Sequence, residues 1–131
     1  MILSSGQMEP FVYGVTVLRV IDGDTLDLDI DLGFSIKLAG QRVRLLRVNT
    51  PERKGTTRKA GDAAWRFATK WLDSHLSVVI RSRKIEPGKG EKDSFGRYLV
   101  EVYGVDHTGQ QKCLNDALLD SGNAVPFREN D

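Results

Sequence analysis

Three short strings of acidic residues and arginines are the part of this 131-residue chain best suited to chemistry. They occupy residues 21–25 (IDGDT), 44–52 (RLLRVNTPE) and 93–97 (DSFGR). Their carboxylate and carbonyl oxygens are the ligands that hard divalent cations prefer, and their guanidinium groups match the geometry of a phosphate. Together these are the groups that metal-assisted hydrolysis of a phosphodiester requires. Each string alone is weak evidence, and the ordered set favours that chemistry.

Length and composition fit one ordinary globular domain, with 40% hydrophobic and 28% charged residues. No apolar run is long enough to span a bilayer, so we expect no membrane partner. The N-terminus lacks a basic segment followed by a long apolar one, so no signal peptide is visible and we expect a cytoplasmic protein. Its small size fits, by analogy, a phage or mobile-element product. A single cysteine, Cys113, excludes an internal disulfide.

The net charge is only +1, but the charges are segregated along the chain. Acidic residues crowd residues 22–31, and basic residues cluster at 53–59 and 81–84. Such segregation can steer a phosphate backbone despite a nearly neutral total. A solvated surface of mixed charge explains each cluster, taken alone, equally well.

Periodicity places these strings on a small set of elements. We expect strands at 12–21, 26–32, 36–48 (with a bulge or kink at residues 39–40), 78–85 and 98–105, and helices at 59–75 and 113–120. Asp27, Asp29 and Asp31 alternate with apolar residues, so we interpret them as the wet face of a strand rather than as metal ligands.

Five strands with a helix between the third and fourth favour a mainly β, α+β fold. The expected architecture is a five-stranded Greek-key barrel of the oligonucleotide/oligosaccharide-binding (OB) type, packed with two to three helices. Residues 1–10 have no periodicity and are expected to form a loose arm, residues 11–127 a single domain, and residues 128–131 a tail.

With Asp-Gly-Asp-Thr, Arg-x5-Thr-Pro-Glu and Phe-Gly-Arg in this order, the chain resembles the staphylococcal nuclease family from about residue 15 to residue 125. The resemblance implies the five-stranded barrel and calcium-dependent cleavage of DNA and RNA. It implies a calcium ion bound by Asp24, by the residue at Asn49 and by the backbone carbonyl of Thr50, with Asp22 close to the ion but not on it. The best-known members carry aspartate where this chain has Asn49, so weaker ion binding is expected.

The same resemblance implies three catalytic residues. Glu52 matches the general base that takes a proton from the attacking water, and Arg44 and Arg97 match the two arginines that bind the phosphate. The alternatives are a solvated glutamate at a loop start and two structural ion pairs. Candidate substrate contacts are Arg53, Lys54, Arg58, Lys59, Phe95 and Tyr98.

These residues favour a metal-dependent phosphodiesterase that acts on DNA or RNA, preferably single-stranded, as a monomer. The main alternative is a module of the same fold that binds nucleic acid with weak or no catalysis. A barrel that binds only proteins has no support beyond the fold itself.

Overall fold

A closed barrel of five strands is the central element of the computed structural model, which describes residues 11–82 and 96–127. The strands are β1 (Val12–Asp22), β2 (Thr25–Gly33), β3 (Ile36–Leu45), β4 (Val48–Asn49), β5 (Ser77–Ser82), β6 (Tyr98–Val105), β7 (Gln111–Cys113) and β8 (Val125–Pro126). The helices are α1 (Arg58–Asp73) and α2 (Leu114–Asp120), and a single 3-10 turn (Gly55–Thr57) precedes α1. No described helix is long and apolar enough to cross a membrane.

The barrel follows the order β1-β2-β3-β6-β5 and returns to β1. All neighbouring strands are antiparallel except β3 and β6, which close the barrel as a parallel pair with Val43 opposite Tyr98 and Arg44 opposite Leu99. The short strands β4 and β8 form a separate pair, and β7 extends the sheet beyond β6. The predicted α+β class and five-stranded OB-type barrel are confirmed.

Strand β2 has the predicted alternation, with Leu26, Leu28 and Ile30 in the core. The expectation that its aspartates form a wet face is wrong for Asp27, which is only 9% exposed. Two arginines from the neighbouring strands cover its carboxylate, which explains how a charged group tolerates burial on this face. Asp31 accepts a hydrogen bond from the backbone N–H of Gly33 at the end of β2, and Asp29 accepts one from the backbone N–H of Gly40 on β3.

Helix α1 buries a stripe of small residues, which lets it lie close to the barrel. Ala64, Ala68 and Leu72 are buried, whereas Ala60, predicted on the same stripe, is exposed. The helix ends at Asp73, two residues earlier than predicted, where the N–H of Ser74 donates to the last turn. Trp71 packs against the barrel core, as its helical spacing indicated.

Local backbone geometry explains where the other boundaries differ from the predictions. Strand β3 ends at Leu45 instead of Val48 because Arg47 has φ +71°, which breaks the extended conformation. Strands β7 and β8 were not predicted. The predicted end of the fourth strand at residue 85 and the loop 86–94 lie outside the described residues.

Candidate functional site

Asp24, the first of the candidate site residues, lies in the turn between β1 and β2 and is only 6% exposed. The backbone N–H of Thr50 donates to its Oδ2 at 3.0 Å, and the hydroxyl of Thr25 donates to its Oδ1 at 3.0 Å. The backbone N–H of Leu45, at the end of β3, donates to the Asp24 carbonyl at 2.9 Å. The first and second sequence strings, 26 residues apart at Asp24 and Thr50, therefore meet.

Arg44 connects the candidate ligand oxygens to one another. Its Nη1 donates to the carbonyls of Leu45 and Val48, both at 2.8 Å. Its Nη2 donates to Asn49 Oδ1 at 3.2 Å and lies 3.4 Å from Asp24 Oδ2. The guanidinium is thus fixed in plane and position, and it lies against both predicted ligand side chains.

The end of the chain covers the other side of Arg44. Asn49 pairs with Val125 in the β4–β8 pair, and the Phe127 ring lies 5.5 Å from the guanidinium carbon of Arg44. The backbone N–H of Phe127 donates to the Arg47 carbonyl at 2.9 Å. This contact was not predicted from the sequence, because strands of only two residues, such as β4 and β8, have no periodic pattern.

Two further carboxylates lie at the same end of β1. Glu52 is exposed, with its Oε2 3.8 Å from Lys54 Nζ, so its carboxylate is accessible to water. Burial raises the pKa of Asp22, and the negative charges of Asp24 and Glu52 raise it further against the opposing charge of Arg53. The Asp22 carboxylate therefore lies close enough to Asp24 and Glu52 for their charges to act on it.

The donor set for a cation depends on neutral oxygens as well as on carboxylates. Among the described residues, no three His, Cys, Asp or Glu side chains are grouped closely enough to hold a metal ion. The predicted ligands include one charged group, Asp24, together with the amide oxygen of Asn49 and the backbone carbonyl of Thr50. The hydroxyl of Thr50 is buried without a hydrogen-bond partner, so a polar atom here is available to a bound water or ion.

Arg97 lies directly before β6, after Gly96, which has φ +79°. In the β3–β6 register Leu99 lies opposite Arg44, and Arg97 comes directly before the first residue of β6. The register thus brings Arg97 close to the part of β3 that contains Arg44, and Tyr98 faces the barrel core instead. Phe95 lies outside the described residues.

The basic loop after Pro51 divides into one internal arginine and three exposed cations. Arg53 Nε donates to Asp62 at 2.9 Å, its Nη1 donates to the Ile21 carbonyl at 3.2 Å, and its guanidinium lies 4.4 Å from the Trp65 ring centroid. It therefore holds the loop on α1 and β1. The predicted substrate contacts that keep their side chains toward solvent are Lys54, Arg58 and Lys59.

Gly61 on α1 fixes the position of the Glu52 backbone. A Cβ at Gly61 would lie 2.4 Å from the Glu52 carbonyl oxygen and 2.9 Å from the Arg53 Cα. Only a residue without a side chain allows this approach. Together with the Arg53 contacts, this packing sets where the Glu52 side chain leaves the loop.

Replacing Gly61 by alanine is therefore expected to shift the loop, to lower the free energy of unfolding by about 1–3 kcal/mol, and to reduce any activity that depends on Glu52. Urea unfolding gives the first quantity. Gly14→Ala is the control, because a Cβ there meets nothing within 4 Å. If Gly61→Ala gains the roughly 1 kcal/mol that alanine adds inside a helix, the close approach does not constrain the loop.

Asn115 is a residue that the sequence analysis missed. It is fully buried on α2, where its amide donates to the carbonyls of Leu46 at 2.9 Å and Val100 at 3.2 Å, and its Oδ1 accepts from the N–H of Val102 at 2.9 Å. It thereby holds the turn after Arg44 against β6. An asparagine next to Leu114 in an apolar helical stripe was the available signal.

Comparison with protein families gives a match over residues 42–131 to the family described as staphylococcal nuclease homologue. Comparison with curated proteins gives no match. The matched region contains Arg44, Asn49, Glu52 and Arg97, and the fold brings Asp24, which precedes it, into contact with Arg44 and Thr50. The match covers more than half of the chain, and this protein therefore belongs to the staphylococcal nuclease family.

Proposed function

We propose that this protein is a calcium-dependent nuclease that hydrolyses phosphodiester bonds of DNA or RNA with little sequence preference. The observation that carries the proposal is that the Arg44 guanidinium contacts both Asp24 and Asn49, while the backbone N–H of Thr50 donates to the same Asp24 carboxylate. Residues from three separate parts of the chain, at 24, 44 and 49–50, thus bring hard oxygens together beside a guanidinium whose geometry suits a phosphate. A structural ion pair alone needs only Asp24 and Arg44.

The residues present fit a calcium ion. Calcium accepts carboxylate, carboxamide and backbone carbonyl oxygens in flexible geometry, and Asp24, Asn49 and Thr50 supply one of each. The carboxylates of Asp22 and Glu52, which lie close enough to act on each other, would also attract a cation to this region. When bound, the ion supplies charge stabilisation for the phosphoryl oxygens and lowers the pKa of a bound water.

The remaining chemistry belongs to the side chains of this protein. In the proposed reaction a water oxygen forms a bond to phosphorus while its proton passes to the exposed Glu52 carboxylate. The bond to the leaving ester oxygen breaks, and that oxygen takes a proton from solvent water to leave as an alcohol. Arg44 and Arg97 stabilise the negative charge that develops on the phosphoryl oxygens. Because two backbone carbonyls already hold Arg44, its guanidinium needs little reorganisation during the reaction.

Cleavage of single-stranded DNA and RNA by the purified protein tests the proposal, with added calcium or with a chelator. We expect products with calcium and none with chelator. Binding that persists in chelator, together with no cleavage at any calcium concentration, would instead support the alternative of a binding module.

Asn49→Asp is expected to lower the calcium concentration needed for half-maximal cleavage by about tenfold, because calcium affinity rises with the charge of its ligands. The measurement is a calcium titration of activity, supported by calorimetry. Gln111→Glu, which adds the same charge on the exposed strand β7, is the control and is expected to leave the requirement unchanged. An unchanged requirement in Asn49→Asp means that this side chain is not a ligand.

A further inference from the structure

A second basic cluster lies on the outer face of the barrel, beside the proposed site. Asp27 on β2 accepts two hydrogen bonds from Arg42, at 2.8 and 3.0 Å, and one from Arg19 at 2.8 Å. The carboxylate side chain is 12% exposed, whereas the side chains of Arg19 and Arg42 are 67% and 50% exposed. We refer to Arg19 and Arg42, held on Asp27, as the arginine pair.

The strand register places the arginine pair next to the catalytic candidates. Arg19 lies opposite Asp27, and Asp27 lies opposite Arg42, so the three form one row across β1, β2 and β3. Continuing the parallel β3–β6 register places Arg97 beside Arg42. Arg42 and Arg44 are two residues apart on β3, about 6–7 Å along one face, which is comparable to the separation of neighbouring phosphates in an extended strand.

Charge and hydrogen-bond capacity make this row suited to an anion. Two guanidinium groups share one carboxylate, so the cluster has a net charge of +1 at neutral pH. Each guanidinium has five donors, and the bonds to Asp27 use two from Arg42 and one from Arg19. Hydrogen bonds from Arg42 and Arg19 lower the pKa of Asp27 to about 2, so the carboxylate stays ionised and keeps both arginines in place.

We infer that the arginine pair binds a phosphate of the nucleic-acid strand adjacent to the phosphate held by Arg44 and Arg97. The inference rests on the proposed nucleic-acid substrate and extends it to a second phosphate position. Asp27 acts as a positioning residue, since it orients two exposed guanidiniums that would otherwise sample many rotamers. The contact is made to the backbone and therefore adds affinity without sequence preference.

The competing explanation is an ion-pair network that only joins β1, β2 and β3. If this explanation holds, replacing the arginines lowers stability. Its effect on nucleic-acid binding is then no larger than that of replacing any other surface charge. A phosphate contact predicts a specific coupling between the arginines and one phosphate of the ligand. The two explanations are therefore separable by binding measurements.

The experiment measures binding of a short single-stranded DNA by fluorescence anisotropy in chelator, so that no cleavage is needed. Variants are Arg19→Gln, Arg42→Gln and the double variant, with Arg66→Gln on the exposed face of α1 as the matched control. A second series of oligonucleotides carries one uncharged methylphosphonate linkage at successive positions. Arg19→Gln keeps the two-bond Asp27–Arg42 pair, so it remains informative if Arg42→Gln folds poorly.

We expect the double variant to bind the DNA about tenfold more weakly than the original protein. The slope of log Kd against log salt concentration should fall by about 0.7, which corresponds to the loss of one phosphate contact in a single strand. One methylphosphonate position should weaken binding to the original protein and have no further effect on the double variant. Equal losses in the double variant and Arg66→Gln, or additive effects at every position, overturn the inference. If the coupling is present but calcium produces no cleavage, the phosphate position stands and the nuclease proposal fails.

Discussion

Replacing Arg44 by methionine is expected to lower the free energy of unfolding by about 3–5 kcal/mol, because the buried Asp24 carboxylate loses its cation. The side chains of Arg44 and Asp24 are 7% and 8% exposed, so water cannot replace the lost charge. The carbonyls of Leu45 and Val48 lose the donor they share as well. Urea unfolding of the purified variant measures the loss.

A double variant separates the charge from the packing. Arg44→Met combined with Asp24→Asn removes both charges, so its loss of stability is expected to be smaller than that of Arg44→Met alone. Arg19→Gln is the surface control, since its 67% exposed side chain leaves Asp27 paired with Arg42, and it should change stability by less than about 1 kcal/mol. A loss of less than about 1 kcal/mol in Arg44→Met would mean that Asp24 is not dependent on this ion pair.

Arg44 is both a structural residue and a candidate phosphate ligand, so cleavage by an Arg44 variant does not test phosphate binding alone. Its hydrogen bonds to the turn after β3 and its contact with Asp24 mean that any substitution alters the candidate ligand geometry along with the phosphate contact. Loss of cleavage in an Arg44 variant is therefore weak evidence for phosphate binding.

Short-range patterns predicted the barrel because each strand carries its own signal. The alternation of Leu26, Leu28 and Ile30 with aspartates identifies β2 and its inner face without knowledge of its neighbours. The order of strands and helices then restricts the topology to few choices. What the sequence could not show was which arginine covers which carboxylate, because that depends on the register between strands.

Asp27 and Arg53 illustrate this limit. Asp27 belongs to an alternating pattern that is typical of a solvated face, and only the pairing of β2 with β1 and β3 brings Arg19 and Arg42 over it. Arg53 belongs to a basic loop that is typical of substrate contacts, and only the packing of that loop on α1 brings it over Trp65 and Asp62. In both cases the partner is decided by tertiary structure.

Glu52→Gln is expected to reduce the rate of phosphodiester cleavage by about 10²–10⁴-fold while leaving nucleic-acid binding nearly unchanged. The glutamine keeps the size of the side chain and removes its capacity to take a proton from water. Glu52 is exposed and its nearest cation, Lys54, lies 3.8 Å away, so little stability depends on its charge. Single-turnover cleavage in saturating calcium measures the rate, and anisotropy in chelator measures binding.

Asp73→Asn, on the exposed end of α1, is the control for removal of one negative charge and is expected to cleave at the original rate. A Glu52→Gln variant that also cleaves at that rate would show that another group accepts the proton, and Asp22, close enough for its pKa to respond to Glu52, is the neighbouring carboxylate. A variant that loses binding in chelator as well as cleavage would instead indicate that Glu52 contributes to nucleic-acid binding without a cation. Because Gly61 packs on the Glu52 carbonyl group and Arg53 anchors the next residue, the effect of Glu52→Gln can be assigned to the carboxylate itself.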